Sequence, residues 1–297
     1  MNWPLPLVHP DEPLVNHTSF RIGGPAEWYA EPETLEELQA LLRAASARGV
    51  PVSAIGGGTN VLVPDRGVRG LVIRLGKGFR TVEVLGDGCA NEALVRCGAA
   101  VMTQRLVTLA GRHGWDGFEL MAGLPGQIGG AVMGNAQQIG RFVEQVRLVT
   151  ADGEVRELDR SRLQFAYRDT AIEPGIVVEA LLRVPTIDPA EAAARIRQAL
   201  RYRNDTQDTN LPSAGCAFKN PPGKSAGRLI DQAGLKGSRV GDAQVSTRHA
   251  NFIINDGQAT CDDVLSLMEH IQRVVQRAFG VRLEPELRLF GERWHAR

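Results

Sequence analysis

The chain has 297 residues, 43% of them apolar and 23% charged, the proportions of a folded globular enzyme rather than a disordered chain. Basic and acidic residues number 34 each, and this zero formal charge argues against a general nucleic-acid or membrane-surface binder. The length predicts two or three domains; prolines and acids break up any signal-peptide core in the first 13 residues, and no apolar run approaches the roughly 20 residues of a membrane span.

Residues 28–63 read as strand, helix, strand. Thr34-Leu35-Glu36-Glu37 is a capping box, and Leu35, Leu38, Leu41, Leu42 and Ala45 form one helical apolar face that Gly49 ends. Val50 to Ile55 then runs extended into Gly56-Gly57-Gly58-Thr59-Asn60. A second region begins near Leu71, with strands predicted over Thr81–Leu85 and Leu94–Ala99 and a helix over Thr103–His113 that Gly114 stops. Ala151-Asp152-Gly153 between Val143–Thr150 and Glu154–Leu158 signals a hairpin. Val177–Val184 is a further strand. Asp188-Pro189 opens a long helix to about Arg203, with proline at its first position. Beyond it come a short helix over Ser225–Gln232, a strand over Gln244–Asn255, an amphipathic helix over Cys261–Phe279 and a last strand over Leu283–Phe290. The whole is α+β, with a break near 185–205 and no internal repeat.

Four cysteines, Cys89, Cys97, Cys216 and Cys261, include no C-x-x-C pair, so neither a zinc site nor a dithiol motif is predicted and no metal is expected. So few thiols in so long a chain point to a reducing compartment, and a cytoplasmic location is expected.

Two glycine-rich loops stand out. In Gly56-Gly57-Gly58-Thr59-Asn60, successive backbone N–H groups can wrap a phosphate. The loop lacks the G-x-G-x-x-G fingerprint and precedes Val61-Leu62-Val63-Pro64, not a helix, so a Rossmann reading is weak. The second loop, Gly123-Leu124-Pro125-Gly126-Gln127-Ile128-Gly129-Gly130-Ala131, leads into a short helix whose N-terminus can face an anion. Either loop alone reads equally well as a tight turn. Together they suit a ligand with two phosphates and flat rings.

The third signal is Ser213-Ala214-Gly215-Cys216-Ala217-Phe218-Lys219-Asn220-Pro221. Small residues let a ligand approach the backbone, and a thiol, an ammonium and a carboxamide can serve an anionic substrate. For an isolated cysteine the commoner reading is a small buried hydrophobe.

With Tyr167-Arg168-Asp169 and Leu283-Glu284-Pro285-Glu286, and with Asn16 to Gly24 as an entry segment, these motifs occur in an order that resembles the UDP-N-acetylenolpyruvoylglucosamine reductases. The resemblance spans about residue 16 to 291. It implies an FAD-binding region of two α+β subdomains like those of the vanillyl-alcohol-oxidase flavoproteins, residues 1–70 and 71–200, and a substrate-binding domain over 201–297. The short stretch between Tyr167-Arg168 and Arg203 resembles the family branch without an extra substrate-covering loop. The implied activity is NADPH-dependent, FAD-carried reduction of the enolpyruvyl group to UDP-N-acetylmuramate, a step of peptidoglycan precursor synthesis. C3 receives a hydride and C2 a proton.

By position the resemblance places Ile55, Gly56, Gly57, Gly58, Thr59, Asn60, Gly123, Gly126, Gly129, Gly130, Ala131 and Asn135 at FAD. Cys216 becomes the proton donor, at a position where most of the family carries serine. A thiol ionises near about 8.5 and is mostly protonated at neutral pH, although a cation such as Lys219 favours the thiolate. The neutral form is expected to dominate during reduction. Arg168 would hold the developing enolate. Glu286 would act through Cys216, through water, or by polarising the enolpyruvate. Arg203, Gln207, Lys219 and Asn220 would bind the substrate carboxylate and diphosphate, and Asn251 the sugar or uridine. Gln137-Gln138-Ile139-Gly140 departs from the family pattern after Asn135-Ala136. Two rival readings stand beside this one: an FAD oxidase of a small alcohol or sugar, and a non-catalytic nucleotide-sugar binder. A small-molecule substrate is expected, with no nucleic acid and no membrane. The sequence specifies no oligomeric state, and a monomer is compatible with it.

Overall fold

The computed structural model describes residues 3–87, 91–208 and 210–291; Cys89 lies outside them. The chain forms two compact units. The first comprises Tyr29–Gly57 and Gly70–Arg203 with the residues up to His9; the second comprises Pro10–Trp28, Gly58–Arg69 and the chain from Asn204 onward.

Helices among the described residues are α1 (Leu35–Ala47), α2 (Thr103–His113), α3 (Ile128–Met133), α4 (Pro189–Thr206), α5 (Ala226–Gln232) and α6 (Cys261–Phe279). Their ends follow local chemistry. The Thr34 hydroxyl and Glu37 form the expected capping box of α1, and Thr260 and Asp263 form a second on α6. Gly114 and Gly280 end α2 and α6 in the left-handed conformation.

The first unit is built on a five-stranded antiparallel sheet. Its order is Val82–Asp87, Glu92–Gly98, Ile176–Pro185, Val143–Val149, Val155–Asp159. Ala180 pairs with Cys97 on one side and Val146 on the other, and all three are at most 1% exposed. Alternate residues of these strands are buried, as expected where one face packs on a core. The short α3 covers the strands Glu92–Gly98 and Ile176–Pro185. The hairpin at Ala151-Asp152-Gly153 forms where the sequence signals it, closed by Thr150 N–H to Glu154 O at 2.9 Å. A parallel pair, Val52–Ala54 with Leu71–Ile73, leads directly into the first glycine loop.

The second unit holds a four-stranded antiparallel sheet in the order Ser213–Cys216, Phe252–Asn255, Ala243–Val245, Arg239–Val240. Val264, Leu267, Ile271 and Val275 of α6 are buried at 1% exposure or less in the same apolar cluster as Val245, Ile253, Phe218 and Leu283.

Two expectations are corrected. The predicted strand Gln244–Asn255 is two antiparallel strands, Ala243–Val245 and Phe252–Asn255. The Ser246 hydroxyl accepts the N–H groups of Arg248 and His249 at 3.0 and 2.9 Å and turns the chain there. The predicted strand Leu283–Phe290 contracts to Arg288–Leu289, which pairs in parallel with Val61–Leu62. Its first half, which contains Pro285, forms only an isolated bridge to Phe218.

Candidate active site

The thiol segment is shaped by a bulge. Ser213 pairs with Ile254 and Cys216 with Phe252, so the edge strand carries one extra residue between them. Gly215 takes up that residue at φ +77, a conformation that glycine adopts without strain. Bulges bend a strand and re-aim the next side chain, here the half-buried Cys216. The segment beyond is pinned. Asn251, 3% exposed, accepts the Phe218 N–H at 3.1 Å and donates to the Phe218 carbonyl at 2.8 Å.

The same segment is bridged to the last motif. The Glu286 N–H donates to the Ala217 carbonyl at 2.8 Å, and the Lys219 N–H to the Glu284 carbonyl at 2.8 Å. Glu286 therefore bonds to the residue immediately after Cys216, although 70 positions separate Cys216 from Glu286 in sequence. The Lys219 ammonium sits 2.6 Å from Glu284 Oε1. Asn220 Oδ1 accepts the Ala226 N–H at 2.9 Å at the start of α5. Asn60, the end of the first glycine loop, donates to the Glu286 carbonyl at 3.4 Å.

Gly58 anchors that loop to the entry segment. Ser19 N–H donates to the Gly58 carbonyl at 3.0 Å, and the Ser19 hydroxyl also reaches the Ser213 carbonyl at 2.7 Å. Thr18, 8% exposed, keeps a buried hydroxyl with no hydrogen-bond partner among the described residues. Gln207 follows α4 in a bend.

In the first unit, the N-terminal end of α2 holds the second glycine loop. Thr103 Oγ1 donates to the Leu124 carbonyl at 2.5 Å, and Gln104 accepts the Gly123 N–H at 3.1 Å. The aliphatic part of Arg203 lies across Gly123; a Cβ there would fall 2.8 Å from Arg203 Cδ. Ile55 is 3% exposed and ends the strand before the first loop. Asn135 Oδ1 accepts the Gly140 N–H at 3.0 Å and its Nδ2 donates to the Ala166 carbonyl at 2.7 Å. Arg168 stands in the turn of a small hairpin, Gln164–Ala166 with Asp169–Ala171. Within the second unit Cys216 and Glu286 are thus brought together, while Arg168 belongs to the first.

A model for an FAD binding domain matches residues 26–159. A model for the C-terminal domain of UDP-N-acetylenolpyruvoylglucosamine reductase matches residues 206–290. UDP-N-acetylenolpyruvoylglucosamine reductase 2 of Symbiobacterium thermophilum is 44% identical over 286 residues, 94% of this chain and 91% of its own. The chain belongs to the UDP-N-acetylenolpyruvoylglucosamine reductase family. The enzyme of that name from Pelobacter propionicus is 42% identical over 290 residues, 96% of each chain. The crystal structure of the Thermus caldophilus reductase, MurB, superposes with a TM-score of 0.79 at 37% identity, covering 95% of this chain and 98% of that one.

A member of this reductase family carries FAD, and one buried group in the first unit fits it. Gln127 is 4% exposed, and its Nε2 has no hydrogen-bond partner among the described residues. A buried donor left unpaired is costly and marks a place where a ligand acceptor belongs. Its other end faces the first glycine loop: a Cβ on Gly56 would lie 3.3 Å from Gln127 Oε1. Gln127 was not among the residues the sequence singled out, because an amide inside a glycine loop reads as linker until its burial is known. Among the described residues no group of three or more His, Cys, Asp or Glu could hold a metal ion, and no helix is long and apolar enough to cross a membrane.

Cys97 and Cys261 are both buried. Burial pushes each thiol up to about 12, which holds them protonated and inert.

Proposed function

We propose that this chain catalyses the family reaction, NADPH-dependent reduction of the enolpyruvyl group of UDP-N-acetylenolpyruvoylglucosamine to give UDP-N-acetylmuramate, as a cytoplasmic enzyme of peptidoglycan precursor synthesis. Residues 1–70 and 71–200 serve the flavin and 201–297 the substrate. The observation that supports the assignment is the bridge from Glu286 N–H to the Ala217 carbonyl, which ties the main chain of Glu286 to the residue after Cys216.

FAD, when bound, supplies a hydride carrier between NADPH and the enolpyruvyl C3. The residues proposed to hold it are Ile55 to Asn60, Gly123, Gly126, Gly129, Gly130 and Ala131, with Gln127 added for its unpaired donor; Asn135, expected at FAD from the resemblance, has both ends of its carboxamide engaged by the Gly140 N–H and the Ala166 carbonyl and is assigned to holding that backbone instead. Adding hydride at C3 leaves negative charge at C2 and its carboxylate, so the chain must supply fixed positive charge and one proton. Arg168 is assigned the charge, as a planar cation that cannot lose its proton. Cys216 is assigned the proton, delivered from Sγ to C2. Glu286 polarises the enolpyruvyl group or acts on Cys216. Arg203, Gln207, Lys219 and Asn220 take the carboxylate and diphosphate, with Glu284 holding Lys219 ready. Asn251, both ends of whose carboxamide meet Phe218, supports the thiol segment.

The test is the visible spectrum of the purified holoenzyme under titration. NADPH should bleach the flavin band, and only the enolpyruvyl UDP-sugar should restore it quickly. Rapid recovery in oxygen alone would instead identify an oxidase. No bleaching by NADPH with substrate present would identify a nucleotide-sugar binder.

A further inference from the structure

Arg168 rides on a hairpin too small to fix its own shape. Ala166 pairs with Asp169, leaving Tyr167 and Arg168 as a two-residue loop. Such loops favour glycine, asparagine or aspartate at left-handed positions. Here Arg168 itself adopts φ +59, a conformation that long side chains rarely take and that persists only where the surroundings enforce it. A lone two-stranded hairpin is marginal and cannot supply that enforcement.

The enforcement comes from the last turn of α3 and the segment following it. Asn135 Nδ2 donates to the carbonyl of Ala166, the residue just before the turn, at 2.7 Å. Thr170 Oγ1, on the other strand, donates to the Val132 carbonyl at 2.6 Å. Asn135 and Thr170 are 8% and 7% exposed, so neither bond competes with bulk water. The Asn135 carboxamide is itself fixed by the Gly140 N–H at 3.0 Å. Arg160 donates to the Gly140 carbonyl at 2.7 Å, and its guanidinium lies 4.8 Å from the centre of the Phe165 ring on the hairpin. Asn135, Gln137 and Gln138 stand at φ 41, 50 and 60. Three left-handed residues that are not glycine, within four positions, form a strap whose unusual shape is spent on gripping the hairpin.

We infer that Asn135 is a positioning residue for Arg168, acting through the Ala166 carbonyl, and that the Asn135–Gly140 strap sets where the Arg168 cation stands. This rests on the enolate-binding reading of Arg168. A fixed cation helps only if its geometry is set before the charge develops, and an ångström of misplacement is worth about 100-fold in rate.

Asn135→Asp keeps the size, the tolerance of left-handed backbone and the acceptor for Gly140, but removes the donor to Ala166. In the holoenzyme, flavin content and the rate of flavin reduction by NADPH should match wild type. Reoxidation by the enolpyruvyl substrate should slow about 100-fold. In an Arg168→Ala background the same substitution should change that rate by less than about two-fold, because both changes remove one function. Thr170→Val, which loosens the other strand without adding charge, should repeat the pattern and stands in if Asn135→Asp does not purify. Reduced flavin content would make Asn135 a cofactor contact and overturn the proposal, as would an equal loss in both backgrounds. A slow Arg168→Ala beside a wild-type Asn135→Asp sinks the strap alone. Arg168→Ala at the wild-type rate sinks the Arg168 reading and the strap with it.

Discussion

Cys216→Ala should lower turnover of the enolpyruvyl substrate by about 10²- to 10⁴-fold, the range that a positioned general acid contributes. The backbone on either side of the thiol is held. The bulge at Gly215 re-aims it, Asn251 holds the backbone just beyond it, and Glu286 bonds to its neighbour. Lys219, the cation closest in sequence, has Glu284 as its own counter-ion at 2.6 Å. Cys97 and Cys261 offer no substitute donor, being buried with their thiols pushed up to about 12. Cys216→Ser restores an uncharged donor in the same place, and should recover most of the rate. Steady-state NADPH consumption with the enolpyruvyl UDP-sugar measures both variants. A Cys216→Ala enzyme within a few-fold of wild type would remove the thiol from the mechanism.

The second large effect is on stability. Gly58→Ala should destabilise the protein by about 2–5 kcal/mol, combining the cost of a left-handed L-residue with that of overpacking. Gly58 stands at φ +62, and a Cβ there would fall 2.0 Å from the His17 carbonyl oxygen and 2.8 Å from Thr18 Cα. Those atoms are backbone and cannot swing away. Moving them also disturbs Ser19, which bonds to both Gly58 and Ser213. Thermal melting should show a fall of roughly 5–15 °C. Gly234→Ala is the control, since φ is +72 there but nothing lies within 4 Å; only the backbone strain remains, about 1 kcal/mol. Equal losses from the two substitutions would show that the close approach at Gly58 is not real.

The helices were legible because their signals are local. Thr34 with Glu37 and the glycine at 114 mark ends that the structure reproduces, and the apolar face of α6 gives its length at sight. The small strands were not. The hairpin at Tyr167-Arg168 has no Asn-Gly turn, and its supports, Asn135 and Val132, lie more than 30 residues upstream. The split at Ser246 depends on one hydroxyl turning back on its own backbone, and the last strand yields at Pro285.

The candidate site divides the same way. The groups proposed to react, Cys216, Glu286 and Arg168, were singled out by residue type together with the family resemblance. Their supports were not recognisable as supports. Asn135 and Asn251 resemble ligand contacts on paper; in the structure their carboxamides meet main-chain atoms, some of them 31 and 33 residues away. Gln127 becomes informative only when burial leaves its Nε2 without a partner.

The most direct test of the central claim is rapid mixing of Cys216→Ala, run as two separate half-reactions without oxygen. Reduction of the bound flavin by NADPH should proceed at the wild-type rate, because that step needs no proton from the thiol. Reoxidation by the enolpyruvyl UDP-sugar should then be slowed by about 10²-fold or more. Reoxidation at the wild-type rate, or equal slowing of both half-reactions, would contradict Cys216 as the proton donor.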